Sequence, residues 1–242
     1  MRTVQSYIKA ILLTVPRSGS EVLVECLDSH PDILCESELL LEHMNNFDYG
    51  EKVMRNFFES PLNEKDIRKI PKRAICFKAM YMHLGEKSWK YIRDNNVKII
   101  HLIRNNQFER AISDEFNNRK GETHRQAHTR EEENVISLKI EREKLMSSID
   151  EYNKMILDTS KKLNEGNYDF MTIHYEEMFR NRLFNKTKID VLPRRITKRI
   201  CSFLEIPYRP MSTTLVKQNN KHLKEYVSNW DEIKDLVNRK NE

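Results

Sequence analysis

Cysteine is scarce in this 242-residue chain. Only Cys26, Cys35, Cys76 and Cys201 occur, with no C-x-x-C pair and no histidine at zinc spacing. The pattern predicts buried thiols rather than disulfides or a metal centre. No apolar run approaches the ~20 residues of a spanning helix. Within residues 1–15 the apolar stretch is only about five residues, short of the ~7–15 of a secretory leader, so a cytoplasmic protein is expected. The sequon Asn185-Lys186-Thr187 therefore lacks a secretory context. There is no Gly/Ser/Pro-rich linker and no internal repeat, which favours one domain over 1–242. No RNA- or DNA-binding motif appears, and a formal charge of +5 is too mild to argue for nucleic acid, though it suits an anionic nucleotide. With 38% hydrophobic and 33% charged residues, the chain can bury a core and still expose a wide solvated surface.

Residues 14–20, Thr-Val-Pro-Arg-Ser-Gly-Ser, follow the apolar run Ile11-Leu12-Leu13 and precede a helix-compatible stretch from Glu21 to Leu27. Strand, tight turn and helix in that order make an anion cradle. Backbone N–H groups and the helix dipole point at the ligand. Arg17 adds a full charge, Ser18 and Ser20 add hydroxyls, and Gly19 permits close approach. A Walker A loop is excluded, because no Gly-Lys pair precedes Ser20 and Glu21 follows it.

A second segment, Val97-Lys98-Ile99-Ile100-His101-Leu102-Ile103-Arg104, reads as a buried parallel strand with a cation at its carboxyl end. Asn105 and Asn106 offer a cap for a helix through Phe108–Phe116, and Ser113 lies nine residues beyond Arg104. Ligands of open α/β sheets bind at the carboxyl ends of strands. Two strands that end in Arg therefore suggest a ligand with two separated anionic groups.

These segments resemble the sulfotransferases that use 3′-phosphoadenosine-5′-phosphosulfate (PAPS). Val15-Pro16-Arg17-Ser18-Gly19-Ser20 is similar to their 5′-phosphosulfate loop, and Ile100–Asn106 with Arg110-Ala111-Ile112-Ser113 to their 3′-phosphate motif. The pattern is closest in flavour to bacterial carbohydrate enzymes of the nodulation type, with a likeness to tyrosylprotein sulfotransferases over residues 15–38. Weaker matches are His174–Met178, Phe203–Ile206, and Leu215–Asn219 leading to Ser228-Asn229-Trp230. The resemblance implies a three-layer α/β fold, a parallel sheet flanked by helices and similar to P-loop NTPases. It also implies PAPS as donor, adenosine-3′,5′-bisphosphate as product, and no required metal. Pro16, Arg17, Ser18, Gly19, Ser20, Arg104, Ser113 and Lys217 would hold the nucleotide. The acceptor would be a carbohydrate or other small molecule bearing a hydroxyl.

The same resemblance points to Glu38, 21 residues after Arg17, as general base, with Glu36 as runner-up. In an extended strand both point to one face, so the residues alone separate them poorly. Cytosolic relatives use a histidine in a Lys-Thr-His run; here Lys78-Ala79-Met80 stands instead, which supports a glutamate. Lys78 is assigned to the leaving oxygen or sulfuryl group, His83 is a fallback base, and His101 is expected to be structural. The catalytic set is thus Glu38, Lys78 and Arg17.

Strands are expected over 9–15, 73–79, 97–103 and 168–174, with a short piece at 31–37. The basic segment 117–130 is expected to be a loop. Residues 131–163 carry an apolar period near 3.5, predicting a long helix that breaks near Ser147-Ser148, packs on the sheet, or pairs with a second chain as a homodimer. Two other functions stay open: a small-molecule kinase, and a nucleotide-binding protein without catalysis.

Overall fold

The computed structural model describes residues 7–40, 49–59, 72–120, 138–178, 190–215, 223–225 and 227–238. A five-stranded sheet forms its middle layer, with β1 (Ile8–Thr14), β2 (Ile33–Glu38), β3 (Ala74–Met80), β4 (Lys98–Ile103) and β5 (Phe170–His174) in the order β2-β3-β1-β4-β5. All four pairings are parallel. The apolar runs in β1, β3 and β4 force this arrangement, since strands buried on both faces need a helix layer on each side.

Alternate residues of β1 serve the two layers. Ala10 and Leu12 pack with α1 (Ser20–Asp28) and α7 (Arg194–Phe203), through Leu23, Leu27, Ile196 and Ile200. Ile11 and Leu13 face the opposite layer, with Met54 and Phe58 of α2 (Tyr49–Glu59) and Trp89 and Ile92 of α3 (Glu86–Asp94). Each such aliphatic side chain contributes roughly 1.5–3 kcal/mol by leaving water. A third cluster joins α4 (Gln107–Lys120) to α5 (Arg142–Glu165) and to the end of the chain, through Phe108, Ile112, Leu145, Ile149 and Ile233.

α5 corrects the expectation for residues 131–163. The helix begins at Arg142, and Leu138 pairs with Val227 in an isolated bridge instead of a helical turn. Residues 131–137, like most of the basic segment 117–130, lie outside the described residues. No break occurs at Ser147-Ser148. Ser148 Oγ instead accepts from the buried Arg110 Nη2 at 2.8 Å, so the pair of serines is a contact point with α4. The face carrying Leu145 and Ile149 is covered by α4 of the same chain.

The remaining elements are short: α6 (Tyr175–Met178), the two-residue strands β6 (Asp190–Val191) and β7 (Ser212–Thr213), and α8 (Trp230–Ile233). Glu25 of α1 fastens the chain after β7, accepting from Thr213 Oγ1, Thr214 Oγ1 and the Leu215 N–H. The four cysteines are free and buried, as the spacing predicts.

Candidate active site

β1 and β4 are neighbours, and the chain leaves them toward opposite edges of the sheet. Such a switch point opens a crevice at the carboxyl ends of the strands. The loop after β1 enters it with two left-handed residues, Arg17 at φ 62° and Gly19 at φ 83°. Gly19 adopts this conformation freely; Arg17 is strained there, a condition that clusters at functional sites. Gly19 is also the N-cap of α1, and no side chain caps that helix. Its first-turn N–H groups are directed at the crevice with the positive end of the helix dipole behind them.

Thr14 braces the loop. Its hydroxyl donates to Leu102 O of β4 at 2.8 Å and lies 2.6 Å from Ser18 Oγ. Ser18 is fully buried, and its hydroxyl supports the loop through Thr14.

The segment after β4 meets this loop. Arg17 Nε donates to Ser113 Oγ of α4 at 3.1 Å, and Arg104 Nη1 donates to Arg17 O at 3.0 Å. The Arg104 guanidinium lies 4.5 Å from the Tyr175 ring centre and pairs with Glu109 at 2.8 Å. Its Nε is buried without a hydrogen-bond partner among the described residues. Burial pulls Arg17 below the usual arginine range, with Arg104 adding to the effect against the opposing Asp114. Asn106 caps α4 through Oδ1, as its position predicts, and Glu176 Oε1 accepts from the Asn105 and Asn106 N–H groups.

A second cluster lies on the other side of β1. Lys78 of β3 is 1% exposed, and its ammonium touches Glu21 of α1 and lies 2.7 Å from Glu38 Oε1 of β2. The latter is an ion-pair contact without hydrogen-bond alignment. Burial and the Arg17 charge press Lys78 down to about 7; the two carboxylates oppose that shift by favouring the ammonium. Burial pushes Glu38 above the ordinary carboxylate range.

The strand carrying Glu38 is bulged. Glu36 pairs with Phe77 and Glu38 with Lys78, so Ser37 is skipped. The expectation that Glu36 and Glu38 share one face does not hold across this bulge. The bulge puts Glu38 in register with Lys78 and leaves Glu36 exposed.

The chain matches a family model described as a sulfotransferase domain over residues 8–238. It belongs to the sulfotransferase family. A sulfotransferase from Alicyclobacillus acidocaldarius superposes with a TM-score of 0.51 at 14% identity, covering 89% of this chain and 88% of the other. Mouse sulfotransferase SULT7A1, solved in complex with PAP, gives a TM-score of 0.47 at 17% identity, covering 85% of this chain and 61% of that one. No curated protein sequence matches the chain.

In this sulfotransferase, then, Arg17, Gly19, Ser20, Arg104 and Ser113 converge on one crevice, and Glu38 and Lys78 form an adjoining pair. Lys217 lies outside the described residues. His101 is buried against the Tyr81 hydroxyl at 2.6 Å and is held at about 4 by burial, which suits a structural part. His83 is buried too; its Nδ1 accepts from the Met80 N–H, and burial and Lys78 hold it at about 4. Four members of the site take no role from the sequence: Thr14, Glu21, Glu109 and Glu176. Thr14 and Glu176 lie in the segments 14–20 and His174–Met178, Glu21 opens the helical stretch, and Glu109 carries no signal. Among the described residues, no group of three or more His, Cys, Asp or Glu is arranged for a metal ion. No described helix is long and apolar enough to cross a membrane.

Proposed function

We propose that this sulfotransferase takes PAPS as donor and passes its sulfuryl group to the hydroxyl of a carbohydrate or other small molecule, with Glu38 as general base. The observation that carries the reading is the meeting of the two cationic loops, where Arg17 contacts both Ser113 and Arg104. One cradle suits a 5′-phosphosulfate and the other a 3′-phosphate, and they share a crevice. The donor fits by charge and by available groups. The uncapped α1 terminus, two arginines and a buried Arg104 Nε without a partner favour an anion. Arg104 holds Glu109 in the free protein, so the 3′-phosphate would take that carboxylate's place on the guanidinium.

The chemistry is an in-line displacement. The bond from sulfur to the bridging phosphate oxygen breaks as a bond from sulfur to the acceptor oxygen forms. The acceptor proton passes to Glu38, and the leaving charge falls on the 5′-phosphate. Positioning and charge stabilisation supply most of the rate. Glu38, raised by burial, is a stronger base than an exposed carboxylate. Lys78 and Arg17 supply positive charge for the sulfuryl and leaving oxygens in this reading. Pro16, Ser18, Gly19 and Ser20 build the loop proposed to hold the 5′ group, and Lys217 is proposed to reach the nucleotide. Residues 1–242 would then act as one domain.

Incubation with PAPS and a panel of simple acceptors tests this. The panel holds phenols, glucosides and amino sugars, with bisphosphate release as the readout. Acceptor-dependent release without added metal is expected. Absence of release with every acceptor, together with transfer from ATP, would replace the reading with a kinase.

A further inference from the structure

Lys78 is held by two carboxylates, and they are not alike. Glu38 comes from the bulged end of β2, its side chain is 8% exposed, and it approaches the ammonium at 2.7 Å. Glu21 comes from the first turn of α1 and its side chain is 27% exposed. It accepts from Ser37 Oγ at 3.3 Å besides touching Lys78. Glu21 thus stands at the solvent edge of the pair, beside a hydroxyl donor and in the first turn of a helix. Glu38 has little solvent, and burial raises it. One carboxylate is enclosed with the lysine and the other reaches it from the helix and the solvent.

The difference matters once Glu38 works as a base. Each time it takes the acceptor proton, Lys78 loses one of its two counter-charges. The groups facing Lys78 are Glu21 from α1, Glu38 from β2, Arg17 from the loop after β1, and His83 from the turn after β3. With Glu38 neutral, Glu21 is the remaining negative charge of that set, against Arg17 and the burial that both press Lys78 toward deprotonation. A neutral amine would no longer stabilise the charge that develops during transfer.

We infer that Glu21 is a positioning residue, the standing counter-ion that keeps the Lys78 ammonium charged and fixed while Glu38 carries the acceptor proton. The inference rests on the function proposed above and adds a member to its machinery. Glu21 needs no contact with the donor for this part; it acts through Lys78.

The test follows the lysine directly. In full-length protein with isotope-labelled lysine, the Lys78 ε resonances, assigned by their loss in Lys78→Arg, are titrated by NMR without ligand. Glu21→Gln is expected to lower the titration midpoint of Lys78 by about one pH unit or more, because an adjacent opposite charge supplies a shift of that size. Glu21→Asp is expected to restore most of it. In turnover with PAPS, the alkaline limb of kcat should move the same way in Glu21→Gln, with the KM for donor nearly unchanged. Thermal melting of each variant guards against simple misfolding. A Lys78 midpoint in Glu21→Gln equal to that of the wild type would overturn the inference, as would a shift that Glu21→Asp fails to reverse. If the midpoint moves but the wild type shows no sulfuryl transfer, the ion pair stands and the proposed function falls. If the wild type turns over and the midpoint is unmoved, the function stands and Glu21 loses its part.

Discussion

The two sides of β1 solve different electrostatic problems. On the β4 side, Arg17 and Arg104 are joined through the Arg17 carbonyl, Glu109 pairs with Arg104, and Asp114 acts on Arg17. On the β3 side, Lys78 is enclosed by two carboxylates and is 1% exposed. The first side sets two guanidinium groups beside a helix end with no side-chain cap, an arrangement that favours an anion. The second has its charge matched internally, the condition for holding a proton donor and acceptor at defined distance. In the proposed function, 3′-phosphate binding and proton transfer would fall on opposite sides of one strand, linked through Arg17, whose charge reaches Lys78.

The largest effect should come from the β3 side. Glu38→Gln keeps the shape and removes the base, and turnover is expected to fall ~10²-fold or more. Affinity for adenosine-3′,5′-bisphosphate should stay within a factor of about two. An equal loss of binding would show that the two sides are not separate. Next in size is the β4 side. Arg104→Ala removes a charged donor worth roughly 1.5–3 kcal/mol, so bisphosphate affinity should fall ~10–100-fold. Unaltered binding by calorimetry would remove Arg104 from the 3′-phosphate site.

Two smaller effects sharpen the contrast. Burial raises Glu38, so its carboxyl is already protonated at a pH where an exposed glutamate is still ionised. A base must be ionised, so kcat/KM should decline on acidification from a pH above the ordinary value of about 4.3. A pH profile with its acid limb at or below that value would contradict the burial argument. Glu109→Gln should release the Arg104 guanidinium and tighten bisphosphate binding a few-fold, since the Glu109 carboxylate is open to solvent and competes only weakly. Weaker binding would mean that Glu109 aims the arginine instead of competing for it.

How much of this was legible in the sequence depended on locality. The β4 side was readable because each half is one contiguous segment. Val15–Ser20 and Ile100–Asn106 each encode strand end, turn and cap, and Ser113 follows at helical spacing. The strands themselves were readable within one or two residues, because buried parallel strands are near-continuous apolar runs. The β3 side was not readable in the same way. Glu21 and Lys78 are 57 residues apart, and nothing local marks them as partners. The bulge at Ser37, which sets Glu36 and Glu38 against successive residues of β3, is fixed by that pairing and invisible to period-two counting. The start of α5 was misjudged for a related reason. Leu138 keeps the helical apolar spacing but satisfies it by pairing with Val227, a contact nearly ninety residues away.

The most direct test of the account is calorimetric titration of the protein with adenosine-3′,5′-bisphosphate, with ATP as control and no added metal. The account predicts micromolar binding of the bisphosphate and much weaker binding of ATP, because two separate phosphate cradles are set at the ends of β1 and β4. Tight ATP binding that requires Mg²⁺, with none for the bisphosphate, would contradict it.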